Sequence, residues 1–158
     1  MKRIVSLAFL SVWAAALAAA GPMSLGNFAD VYAALKAGQR VRAVFQYKLM
    51  ALTVEGRKEE KVPDAVGGME LGTFEYFASG SVGNKEGFLT ASHTQLIRHP
   101  RHGLVLNYVK VSLYESGAVR ILAQYLDPLT YALKMDETFD SIVADGRNGG
   151  GAFFYRLD

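Results

Sequence analysis

LVLNYVKVSLYESGAVRILAQY, residues 104–125, alternates almost without interruption on both sides of a glycine turn. Val105, Val109, Val111 and Leu113 share one parity, and beyond Glu115-Ser116-Gly117 the series resumes with Val119, Ile121, Ala123 and Tyr125. A period of two places each set on one face of a strand. So short a polar turn between two such runs makes them antiparallel neighbours. This hairpin is the seed from which the rest of the fold is read.

Downstream, Asp127-Pro128 interrupts the pattern, and Tyr131, Leu133, Met135 and Phe139 then alternate against Lys134, Asp136, Thr138 and Asp140. DGRNGGG, residues 145–151, reads as a mobile hairpin loop before a last strand at 152–157. Upstream lie a strand at 88–97 with a turn at 100–103, and a strand at 69–78. The latter is expected to bulge at Gly72, because Leu71 and Phe74 fall on opposite parities. Residues 54–68, VEGRKEEKVPDAVGG, are polar and charged and read as an excursion.

Nearer the start the period is helical. Asn27 can cap the first amides, Asp30 complements the helix dipole, and Phe28, Val31 and Leu35 recur at i, i+3, i+7. Gly38 supplies the left-handed exit, and from Arg40 the period becomes two, with Val41, Ala43, Phe45, Tyr47 and Leu49 on one face. So short a helix must dock on a sheet to be stable. Seven strands at close spacing imply a mainly β (α+β) fold: an antiparallel meander, barrel-like or strongly curled, with one N-terminal helix packed on it. The alternative is a sandwich of two sheets, favoured if the chain changes sheet around the 54–68 excursion.

Residues 1–20 read as a signal peptide. Lys2 and Arg3 precede an apolar run that ends in Ala18-Ala19-Ala20, ahead of Gly21. With no cysteine in the chain, a lipid anchor on a cysteine thiol is excluded. Residues 21–158 then form a single domain, exported to the periplasm or secreted, with no stable membrane insertion after cleavage. The chain has 17 basic and 15 acidic residues; removing Lys2 and Arg3 leaves fifteen of each. A neutral chain without a basic cluster lacks what displaces counterions from phosphates, so nucleic acid is excluded as a partner. Apolar burial alone must hold the domain together.

FADVYAALKAGQRVRAVFQY near the start, GLVLNYVKVSLYESGAVRILAQYLDPLTY in the middle, and ETFDSIV followed by AFFYRLD resemble the VirK family of small exported bacterial proteins, named from a plant-pathogen virulence regulon. The resemblance extends over nearly all of residues 21–158 and implies a virulence-associated protein with no enzymatic activity established for the class. Members often carry cysteines near the end of the first strand and in the ETFD segment. Here those places hold Leu49-Met50 and Ser141.

No stretch specifies a catalytic centre, and no cofactor is implied. His99 and His102 are three apart, a spacing zinc can use, but Pro100 and Gly103 make this a turn and no carboxylate or cysteine adjoins it. His93 reads as a partly buried, hydrogen-bonded strand residue. The stretch GSVG at 80–83 lacks the pattern of a nucleophile elbow, and DGRNGGG lacks the lysine and helix of a phosphate loop. Glu137 shares parity with Met135 and Phe139, so it points toward the core side near a strand end. The expected function is a non-enzymatic binding or accessory module of the cell envelope or of host interaction, with an unknown protein or apolar small molecule as partner. A hydrolase using carboxylate or histidine groups in a barrel mouth is the alternative. An apolar cavity of several hundred Å3 with Glu137 or His93 converging on it would favour ligand binding or catalysis. A filled interior would favour a protein-interaction or structural role.

Overall fold

The computed structural model describes residues 21–157; the expected signal peptide at 1–20 lies outside the described residues. Within them the chain forms β1 (Met23–Leu25), α1 (Phe28–Lys36), β2 (Val41–Gln46), β3 (Ala51–Val54), β4 (Arg57–Glu59), β5 (Val66–Glu70), β6 (Phe74–Phe77), β7 (Phe88–His99), β8 (Gly103–Tyr114), β9 (Ala118–Leu126), β10 (Leu133–Ile142) and β11 (Ala152–Arg156). Every strand pair is antiparallel. No helix among these residues is long and apolar enough to cross a membrane.

The helix forms as its sequence dictates. The Asn27 side chain accepts from the Asp30 N–H at 2.9 Å, and Gly38, at φ +74°, returns its N–H to Leu35 while Gln39 reaches Ala34. Phe28, Val31, Ala34 and Leu35 are buried. Tyr32 packs on Tyr76 of β6 with ring centroids 4.5 Å apart. The helix does not open the fold, however. β1 precedes it and pairs with β11, Leu25 opposite Phe154; three residues are too few for alternation to reveal a strand.

The expected barrel is not formed. The strands make two open sheets, a four-stranded one in the order β1-β11-β2-β5 and a seven-stranded one in the order β4-β3-β10-β9-β8-β7-β6. The cause is that the chain changes sheet four times. It does so through the 3-10 turn Tyr47–Leu49, at residues 60–65, at 71–73 and at 143–151. The segment at 69–78 is therefore two strands in different sheets, and the opposite parities of Leu71 and Phe74 mark the crossing between them. The excursion at 54–68 contains β4 and the start of β5, so the strands number eleven. Alternation from Val41 ends at the 3-10 turn, which leaves Leu49 exposed and buries Met50 instead.

Between the sheets the interior is filled. Phe45, Phe154, Val41 and Leu71 from the small sheet meet Leu89, Val111, Leu113, Val119 and Ile121 from the large one, each at most 2% exposed. The loop at 145–151, expected to be mobile, is laced by hydrogen bonds. Asp145 accepts from the N–H groups of Arg147 and Asn148, Asn148 donates to the Val143 carbonyl at 2.7 Å, and the Gly151 N–H donates to Ser141 Oγ at 2.9 Å. Ser141 Oγ also lies 3.5 Å from the Leu49 carbonyl oxygen, so the two positions the resemblance singled out are adjacent. The Ser141 hydroxyl joins β10 to both segments by which the chain crosses between the sheets.

Candidate functional site

Hydrogen-bond register across the large sheet locates each chemically interesting side chain. On the inward face, Glu137, Ala123, Val109 and His93 lie side by side on β10, β9, β8 and β7. One row further from the core lie Met135, Tyr125, Asn107 and Gln95. Core packing fades between these rows, because β7 and β8 run on past the end of the smaller sheet. A cleft of about 200 Å3 marks the boundary. Phe45, Tyr47, Gly67 and Gly68 form one wall, and His93, Gln95 and Asn107 the other.

The glycines of β5 create this space. A Cβ on Gly67 would collide with the Tyr47 hydroxyl, and one on Gly68 would sit 2.8 Å from the Ala43 carbonyl oxygen. Tyr47 is fixed against Phe139 with ring centroids 4.6 Å apart. Its hydroxyl pKa is raised, chiefly by burial and then by the charges of Glu137 and Tyr125.

Glu137 is half-buried, without an ion-pair or hydrogen-bond partner among the described residues, and burial pushes its carboxyl up. Folding raises this pKa, so between the unfolded and folded values the native state binds more protons, and stability falls as pH rises through that window. Glu137→Gln is therefore expected to raise Tm by a few degrees at neutral pH. The gain should vanish as pH falls through the raised pKa, which thermal melts from pH 4 to 8 would follow.

His93 and Glu137 are three strand spacings apart, about 14 Å at the usual ~4.8 Å per strand. They share a row but cannot share a proton or a reacting atom. Asp136 and Asp140 face outward as expected, Asp136 accepting from Gln124 at 2.9 Å and Asp140 pairing with Arg120 at 2.7 Å.

His99 and His102 do come together. Their rings stack with centroids 4.8 Å apart, and Tyr125 lies 5.0 Å from His99. His99 Nδ1 accepts from the N–H groups of Arg101 and His102, which fixes the turn. Burial, then the His102 and Arg101 charges, lower its pKa. Among the described residues no group of three His, Asp or Glu side chains gathers as metal ligands, and what the structure places at this turn is a stacked imidazole pair beside Tyr125.

Sequence reasoning missed one feature beside the cleft. β6 pairs only with Phe88–Ala91 of β7, so from Ser92 to His99 the outer edge of β7 has no neighbouring strand. Ser92, Thr94, Gln95 and Leu96 are all exposed. Two polar parities in the middle of a long strand were the available signal that it leaves the core.

A family model described as VirK protein matches residues 24–131. The chain belongs to the VirK family. The crystal structure of a VirK family protein from Legionella pneumophila is similar to this VirK chain with a TM-score of 0.62 at 18% identity, over 84% of this chain and 98% of that one. At that identity the likeness speaks for the shared VirK fold alone. Among curated proteins none matches this VirK chain in sequence.

Proposed function

We propose that this VirK protein is an exported, non-catalytic binding module whose partner is another polypeptide, engaged at the open side of the sandwich where β5 and β7 flank the cleft. The filled interior is the observation that carries this reading. It leaves no chamber for an apolar ligand, and the cleft at His93 is smaller than the ~300 Å3 from which small-molecule pockets usually begin. The absence of paired groups supports it further. General acid–base work needs side chains within hydrogen-bond reach of one reacting atom, and His93 and Glu137 stand three strands apart on the inward face.

The test is a turnover screen of the purified domain, residues 21–158, with generic ester, glycoside and phosphate substrates. The expected result is no rate above the buffer blank. Turnover that Glu137→Gln or His93→Ala abolishes would replace this reading with a hydrolase.

A further inference from the structure

We infer that the free edge of β7, residues 92–99, takes up an extended peptide as an added strand, with an apolar side chain beside Leu96 and acidic side chains two residues away on that same outward face, which Arg98 and Lys110 share; this rests on the reading of the protein as a polypeptide-binding module. In an antiparallel pair a residue points its N–H and C=O to the same side. The Glu115 N–H donates to the Gly87 carbonyl, which directs the odd residues of β7 to β8 and the even ones outward. Ser92, Thr94, Leu96 and Arg98 therefore present their main-chain groups to solvent, and none of these groups takes part in any hydrogen bond among the described residues. An open edge of this length is a template for strand addition. The other edges are shorter: β4 is three charged residues, β1 has three, β6 four, and β5 five, of which two are glycines.

The two faces beside the edge define what would sit there. On the outward face Leu96, Leu106, Leu126 and Leu133 are successive cross-strand neighbours on four strands, and Leu96 is 58% and Leu133 54% exposed. An added strand with an apolar residue opposite Leu96 would extend this row. On the inward face its alternate side chains would enter the cleft beside His93 and Gln95, where hydrogen-bonding groups fit. Arg98, Arg101 and Lys110 lie along or near the edge without ion-pair partners among the described residues. They favour an acidic segment. A second copy of this chain would bring the same cations to meet them. Where β6 stops, a notch of about 350 Å3 bordered by Phe74, Glu75, Thr90, Ser92 and Lys110 leaves room for the end of such a segment; Glu75 there disfavours an acid, so the acidic positions belong nearer Arg98.

The experiment uses synthetic nonapeptides with a central Leu or Val, Glu two residues to either side of it on the same face, and Thr or Gln at the positions between, with the same peptides N-methylated at alternate residues as controls. Amide hydrogen exchange of the domain should show at least tenfold protection at Ser92, Thr94, Leu96 and Arg98 on adding a peptide. The protection should weaken as salt rises. Leu96→Pro removes an outward N–H and no ladder bond, as befits proline at a strand edge; it should keep Tm within about 2 °C and weaken binding at least tenfold. Should that variant not fold, loss of binding on N-methylation of the peptide supports the added strand by itself. Binding indifferent to both changes, protection elsewhere on the molecule, or no binding at millimolar peptide would overturn the proposal. Concentration-dependent protection of the edge without peptide would overturn it in favour of a second copy. Cleavage of the peptides would sink the non-catalytic reading while leaving edge protection standing, so the two failures are distinguishable.

Discussion

Phe154→Ala is expected to remove about 3–5 kcal/mol of stability, the usual cost of truncating a fully buried phenylalanine. Phe154 is 0% exposed and occupies the middle of β11, opposite Leu25 on one side and Ala43 on the other. Its ring is therefore shared by three strands of the small sheet and by the inward face of the large one. No disulfide holds the chain if that packing fails. Against a total stability of roughly 5–15 kcal/mol for an ordinary domain, the variant should unfold at much lower urea with an unchanged slope. Tyr155→Ala, one residue on and facing the other way, serves as the control and should cost far less. Equal losses at the two positions would mean that the sandwich interior is not where stability resides.

Gly150→Ala is expected to cost about 3 kcal/mol, at the upper end of what an extra methyl does in a packed site. A Cβ there would lie 2.6 Å from the Ile142 carbonyl oxygen and 3.1 Å from the backbone of Ala144. Neither can swing aside, because both belong to the segment that carries the chain from the large sheet to the small one. The Ala144 N–H donates to the Ala152 carbonyl at 2.7 Å, and the Gln46 N–H to that of Gly151 at 2.9 Å. Gly149→Ala, one residue earlier, separates two causes. That position has open space but φ +69°, so its cost is the ~1–2 kcal/mol of a left-handed non-glycine residue. Chemical denaturation of both variants reads the difference, and a Gly150 variant as stable as the native chain would contradict the close approach.

The same loop shows what the sequence made legible and what it hid. Four glycines in seven residues suggest mobility, since composition reports freedom in the unfolded chain and says nothing of a backbone approaching within contact distance. The helix, the β8–β9 hairpin and the inward parity of Val111, Leu113, Val119 and Ile121 are readable because local period and turn chemistry agree there. Which sheet a strand joins is not, because alternation fixes a face and leaves the neighbour open. The mismatch of Leu71 and Phe74 carries that information, and a bulge explains it equally well. The cleft is legible only in pieces: Glu137 falls on the correct face, while its distance from His93 depends on the strand order between them. The unpaired length of β7 depends on how short β6 is, and residues 78–87 between them give no local sign of it.

β1 and β11 give the smaller sheet a particular folding schedule. Its second strand, β11, is inserted between two strands from the first third of the chain. β1 and β2 therefore stand early in the sequence but have nothing to lie between them until a segment more than a hundred residues later is in place. Such long-range closure slows folding, so the small sheet is the part of the molecule expected to complete last.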